Sequence, residues 1–277
     1  MRLQEVQTCP TRVVRELDRQ IIFKMNQLAS NSLVSFADLA VNIGESTWPY
    51  LQLVAKVALE KAINERGSRL FVNSAYRTIA QQLLLFNQFR SGRCGIVAAA
   101  PPGGSNHQSG LALDIEDSDG WRPFLERHGW RWLGSFDPMH FDFVGGGTQD
   151  INPIAVEAFQ LLWNENNPND VIDAEGIFGP QTEARLNISP VDGFSKGNKI
   201  PDVSPSSVER VLLLSHPNQE GEDVRKVQQA LVNVGIGVTV DGFFGPATDL
   251  AVRKFQGLNR LSVDGKVGPG TRKAMGI

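Results

Sequence analysis

The chain has 277 residues, 41% hydrophobic and 21% charged, with a net charge of −3, which suits a soluble globular protein with enough length for a substantial core. Slight acidity gives no electrostatic basis for nucleic acid as a partner, and no apolar run is long enough to span a bilayer. The N-terminal stretch MRLQEVQTCPTRVVRELDRQ is charged throughout and lacks the apolar core of a secretory signal. The protein is therefore expected to wait in the cytoplasm for release, to be exported by another route, or to have lost its signal. Cys9 and Cys94 are too few to decide the compartment, and their pairing stays open.

Charge is unevenly spread. Residues 1–150 hold 15 basic and 15 acidic side chains, 151–204 hold 3 and 8, and 205–277 hold 9 and 7. An acidic middle segment between two nearly balanced ones suggests three units. Residues 11–65 read as helical, and TWPYLQLVAKVALEKAINERG starts with Thr47 as N-cap and Pro49 in the first turn. Leu51, Val54, Ala58 and Ala62 fall on one face, and Gly67 is the stop. RLFVNSAYR reads as a strand, after which Thr78 caps a helix with Ile79, Leu83, Phe86 and Phe89 inward. CGIVAAAPPGGSNHQSG is a Gly/Pro-rich loop that delivers the chain to a strand at LALDIE. A helix at WRPFLERHG and a strand at HFDFV complete a helix-rich α+β unit, broken off by GGGT at 145–148.

Beyond that point the chain repeats itself. DAEGIFGPQTEARL (173–186), DGFFGPATDLAVRKFQ (241–256) and DGKVGPGTRKAM (264–275) share an acidic–Gly–x–aromatic/Val–Gly–Pro–x–Thr frame, each after an amphipathic helix. Glycine permits the tight turn, and proline at the first helical position loses no hydrogen bond. Three copies in one frame mark a repeat architecture. SPVDGFSKGNKIPDVSPSS, lying between the first two, is aperiodic and reads as a linker.

Chemistry concentrates in SNHQSGLALDI and SFDPMHFDF. His107 and Asp114, with six residues between them across a loop and a strand, join His140 to give three N/O donors, the number a catalytic zinc takes while keeping a position for water. The alternative is that all three are polar turn and core residues. Asp114 in an apolar strand would be costly to bury unpaired, and a cation removes that cost. Asp137, extended because Pro138 follows it, is either a base for a metal-activated water or a turn-forming Asp-Pro. Asp142 is placed to support a histidine. Arg77, at a helix start, either stabilises an oxyanion or is an ordinary surface arginine. Ser105 either hydrogen-bonds substrate or caps the loop. His128 and His216 read as structural or solvent-facing, and Trp121, Trp130 and Trp132 as core or cleft wall.

Taken together, SAYRT…QQ, SNHQSGLALDI and DPMHFDF resemble the zinc D-alanyl-D-alanine carboxypeptidases (the VanY-like group), a family that also holds L-alanyl-D-glutamate endopeptidases. The match spans about residues 48–144. The resemblance implies His107, Asp114 and His140 as zinc ligands, Asp137 as base, Arg77 as transition-state stabiliser, and Ser105 and Tyr76 as substrate contacts. Many D,D-carboxypeptidases of the family have Glu where this chain has Asp137, and Asp there looks more like the endopeptidase branch. The D-G-x-F-G-P-x-T repeats resemble the three-helix peptidoglycan-binding domain.

The expected architecture is an α+β catalytic domain, with a small antiparallel sheet and helices, followed by an all-α three-helix binding domain. Its boundaries are a zinc peptidase at 1–150, a half repeat at 151–194, a linker at 195–211 and a peptidoglycan-binding domain at 212–277. The resemblance implies a monomeric enzyme that hydrolyses stem peptides in the cell wall or periplasm, with peptidoglycan as partner and Zn2+ as cofactor. D-alanyl-D-alanine carboxypeptidase cleavage is the first reading, L-alanyl-D-glutamate endopeptidase the second, and a non-catalytic wall-binding protein the third.

Overall fold

The computed structural model describes residues 1–201, 211–215 and 218–277; His216 and residues 202–210 of the expected linker lie outside them. Two 3-10 turns, Leu3–Glu5 and Thr11–Val14, lead into α1 (Arg15–Leu28), which buries Leu17, Ile21, Ile22 and Met25 on one face. The chain then departs from the helical expectation. Three short strands, β1 (Val34–Ser35), β2 (Val41–Ile43) and β3 (Tyr50–Leu51), occupy the stretch before α2 (Leu53–Arg66). β-branched residues at Val34, Val41 and Ile43 and the restriction that Pro49 places on Trp48 favour extended backbone. The N-cap of α2 is consequently Gln52, and the Thr47 hydroxyl donates instead to the Asn73 carbonyl at 2.6 Å. Gly67 ends α2 in the left-handed region, as expected.

The remaining strands are β4 (Leu70–Ser74), β5 (Ala112–Ile115), β6 (Trp130–Trp132) and β7 (His140–Phe143). They form a five-stranded sheet in the order β2-β4-β5-β7-β6, antiparallel throughout except where β2 joins β4 in parallel. α3 (Ile79–Arg90) follows β4, with Thr78 as the expected cap accepting from the Gln81 amide, and α4 (Ser118–Arg127) follows β5. One core joins the sheet to α2 and α4 through Leu59, Ile63, Val72, Leu113, Trp130 and Phe141.

A second core is helical. α5 (Asn152–Asn166) and α6 (Pro180–Ile188), which carry the first repeat, share it with α1 and α3 through Leu17, Ile21, Leu83, Phe159, Leu162 and Leu186. Buried Asp18 ties this layer to the sheet side, accepting from Trp48 Nε1 at 3.0 Å and from the Thr78 hydroxyl. The third core belongs to α7 (Glu222–Asn233), α8 (Pro246–Leu258) and α9 (Pro269–Met275), with Val227, Leu231, Phe244, Val252 and Phe255 at its centre.

The three repeats are built alike. Gly176, Gly242 and Gly265 have φ of 74°, 77° and 73°, where only glycine is comfortable, and Pro180, Pro246 and Pro269 open the helices that follow. A buried glutamine locks each turn. Gln160, Gln228 and Gln256 accept from those three glycine amides at 3.0, 2.7 and 2.9 Å. Their Nε2 atoms donate to Thr182, Thr248 and Thr271 at 3.0, 3.0 and 3.4 Å. Cys9 and Cys94 form a disulfide, which settles the pairing that composition left open.

Candidate metal centre

Strand register creates the site. Asp114 on β5 pairs with His140 on β7 and with Ser74 on β4, so three polar residues stand in one row across the sheet. His107 reaches the row from the turn before β5, closed by bonds from Gln108 N to Ser105 O and from Gly110 N to His107 O. Gly110, at φ 64°, has to be glycine, since an added Cβ would lie 2.6 Å from Leu33 Cδ2 and 3.3 Å from the Gln52 amide. The one ligand atom offered by each of His107, Asp114 and His140 lies within 4.8 Å of the other two, and all three residues are buried.

The tautomers are fixed by the neighbours. His107 Nδ1 is 2.7 Å from the Ala75 carbonyl, which only accepts, so Nδ1 carries hydrogen and Nε2 turns its lone pair toward Asp114 Oδ2 at 3.3 Å. His140 lies between two carboxylates, with Nε2 2.8 Å from Asp142 Oδ1 and Nδ1 2.9 Å from Asp114 Oδ1. Asp142 is itself held by Asn106 Nδ2 at 2.8 Å and by Arg131 at 3.4 Å.

Burial opposes charge on His140, yet Asp114 and Asp142 push its pKa up to about 10. Burial opposes charge on Asp114 too, but the flanking imidazoles hold its carboxyl well below the usual range. Desolvation lowers the pKa of His107, with Asp114 working against it. Two imidazole nitrogens and a carboxylate aimed at one point form a donor set suited to a divalent cation, which would take the place of the proton on His140 Nδ1.

The cluster opens into a cavity of about 290 Å³. Arg77 lines it and is fixed by Gln82 Oε1 at 3.0 Å and Ser74 Oγ at 3.1 Å, with Asp114 Oδ2 3.8 Å away. Burial lowers the Arg77 pKa, while Asp114, Asp137 and Glu220 favour its charge. Asp137 and Ser105 line the same cavity, Asp137 from the turn whose backbone bond His140 N to Asp137 O leads into β7. Tyr76 also lines it, but its hydroxyl donates to Met25 Sδ at 3.0 Å and is turned to the helical core. His128 sits apart, with Nε2 2.8 Å from Glu65 Oε2. Trp121 and Trp130 are buried in the core.

Sequence reading missed several cavity residues. Ser74, which contacts both Arg77 and His107 Nδ1 (3.5 Å), carried only the motif-level signal of S-A-Y-R. Leu133, Phe136, Asn218, Glu220 and Phe243 carried none, because they arrive from turns and from the C-terminal unit.

Fold and site define a candidate metal centre on a small sheet, joined to helical repeats. Comparison with known proteins agrees. Residues 52–145 match the family model described as D-alanyl-D-alanine carboxypeptidase (VanY), and residues 220–275 match that of a peptidoglycan binding domain (PG_binding_1). The chain is thus VanY-like over the segment that holds His107, Asp114 and His140, and peptidoglycan-binding-like at its C-terminal end. It is also similar to the N-acetylmuramoyl-L-alanine amidase CwlL of Bacillus licheniformis, 34% identical over 115 residues, 36% of this chain and 30% of that protein. A second Bacillus licheniformis protein, a probable N-acetylmuramoyl-L-alanine amidase, is 32% identical over 117 residues, 38% of this chain and 30% of its own. The chain spans less than a third of either relative.

Proposed function

We propose that this protein is a zinc-dependent peptidase of peptidoglycan stem peptides, of the D-alanyl-D-alanine carboxypeptidase type. The observation that carries this is the convergence of His107 Nε2, His140 Nδ1 and the Asp114 carboxylate beside Arg77 and Asp137 in one cavity. The family likeness of residues 52–145 supports it. His107, Asp114 and His140 would hold the zinc, which would supply Lewis acidity and lower the pKa of a water toward ~7.

The protein's own groups do the rest. Asp137 accepts a proton from the attacking water on its carboxylate and passes it to the leaving amine. Arg77, preset by Gln82 and Ser74, directs its guanidinium at the oxyanion that forms on the scissile carbonyl. Asp142 fixes the ring of His140 from behind. The C-terminal repeats hold the enzyme on the wall and raise the local substrate concentration.

Asp137 favours a second reading, L-alanyl-D-glutamate cleavage, because its shorter side chain resembles that branch. The test is equilibrium dialysis against zinc combined with an assay of free D-alanine from a muropeptide with a five-residue stem. One zinc per chain and chelation-sensitive release are expected. Full release by the metal-stripped protein would overturn the reading.

A further inference from the structure

The disulfide partners Cys9 and Cys94 both line the cavity, and so does the chain that follows Cys94, from Gly95 to Ala100. The two partners are held very differently. Cys9 belongs to an anchored segment. Leu3 and Val6 are buried in the helical core, Gln88 Nε2 donates to the Thr8 and Cys9 carbonyls at 2.9 and 3.2 Å, and Arg93 Nη1 donates to the Val6 carbonyl at 3.0 Å.

The segment 94–100 has little besides the disulfide to hold it. None of its residues enters any of the three hydrophobic cores, and Val97 is 75% exposed. Its hydrogen bonds among the described residues are two: the Ile96 amide to the Arg93 carbonyl at 3.4 Å, and Gln82 Nε2 to the Ala100 carbonyl at 2.6 Å. Cys94 has a φ of 62°, in the left-handed region that non-glycine residues adopt reluctantly. A segment with few buried apolar contacts and few hydrogen bonds opens at small cost, so the bond to Cys9 is what fixes it in place.

Gln82 carries this tether to the site. Its Nε2 holds Ala100, while its Oε1 accepts from Arg77 Nη1 at 3.0 Å. Both cysteines are half-buried, within reach of a small reductant. We propose that the Cys9–Cys94 disulfide is a redox latch on the cavity. Closed, it makes residues 94–100 a wall and steadies Gln82 beside Arg77; opened, it releases that wall. Opening is exchange with a dithiol: the S–S bond breaks, each cysteine sulfur takes up a proton and an electron, and the dithiol is oxidised to its own disulfide. A thiol-rich cytosol opens the latch and an oxidising exterior closes it. The consequence for turnover rests on the peptidase reading, whereas the latch itself does not.

The test compares three forms of the full-length chain: oxidised, reduced by a phosphine and capped with iodoacetamide, and Cys9→Ser. Thermolysin cleavage within 94–100, located by mass spectrometry, is expected to run about tenfold faster or more in the two open forms, with α2 and β5 left uncut. In the zinc-loaded chain, D-alanine release from a muropeptide should fall about tenfold or more on opening and return when uncapped reduced protein is reoxidised. Equal cleavage in all three forms would overturn the latch, as would faster cleavage spread over the whole chain, which would make the bond a general staple. Faster local cleavage with unchanged D-alanine release would overturn its reach to Arg77. An oxidised chain that releases no D-alanine but keeps the local difference would leave the latch standing and remove the peptidase reading alone.

Discussion

At the scale of single residues, the row Ser74–Asp114–His140 explains why three separated polar positions lie together. A strand register alone brings Asp114 and His140 side by side, and one glycine, Gly110, lets the preceding turn deliver His107. Asp137→Asn is expected to retain zinc, by elemental analysis of the dialysed protein, while turnover falls about 100-fold or more; near-normal turnover would strip Asp137 of the base role. Asp142→Asn leaves His140 Nε2 without its carboxylate and should weaken zinc binding about 10- to 100-fold in a chelator competition. The sign of the pH effect is also set. With the His140 pKa raised to about 10 in the metal-free protein, zinc must displace a proton, so affinity should rise with pH from 6 to 8; a flat profile would contradict the assigned ligand. That His107, Asp114 and His140 come together was legible because residue types and spacing survive in a linear sequence. Ser74 was not, since its contact with His107 and Arg77 exists only once β4 lies beside β5.

Among the elements, the helices and strands that follow sharp signals were readable and the short ones were not. Thr78 and Gly67 mark the ends of α3 and α2 as the sequence predicts. The stretch before α2 forms strands because β-branched residues and Pro49 override a weak helical pattern. Repeats were recognised from Gly-Pro and Thr, whereas the glutamine that binds both was overlooked, because glutamine is unremarkable on a helix until its neighbours are known. Gln228→Leu leaves the Gly242 amide unmatched and takes one donor from the Thr248 hydroxyl, which keeps its bond to the Phe243 carbonyl. It should cost about 1–3 kcal/mol in urea unfolding, against little effect if the turn is held by backbone alone.

Asp18 supplies a second test at this scale. Desolvation, opposed by Thr78 and Trp48, raises its pKa to about 7. The folded state then holds a proton that the unfolded state has released, so this group's contribution to stability falls as pH rises from about 4 to about 7. Asp18→Asn should abolish that component of the slope, and an unchanged slope would contradict it.

For the molecule as a whole, the likeness to two families divides the chain in a way that its packing does not. The first repeat is built like the other two, but its helices α5 and α6 complete the core of α1 and α3, while the later repeats have a core of their own. Sequence shows the repeat; only packing shows which neighbour it joins. The Cys9–Cys94 bond closes a separation of 85 residues and is expected to contribute about 2–4 kcal/mol, read as a lower urea midpoint after reduction. The disulfide residues and the tip of the C-terminal unit line the cavity that holds His107, Asp114 and His140, so the sheet, the N-terminal segment and the repeats converge on one place. The most direct test of a peptidoglycan peptidase is mass spectrometry of a defined muropeptide with a five-residue stem after incubation with the zinc-loaded full chain. The expected product lacks one terminal D-alanine and disappears when the metal is chelated. A new N-terminal D-glutamate would move the cut to the second reading, and an intact muropeptide with zinc bound would contradict the proposed activity altogether.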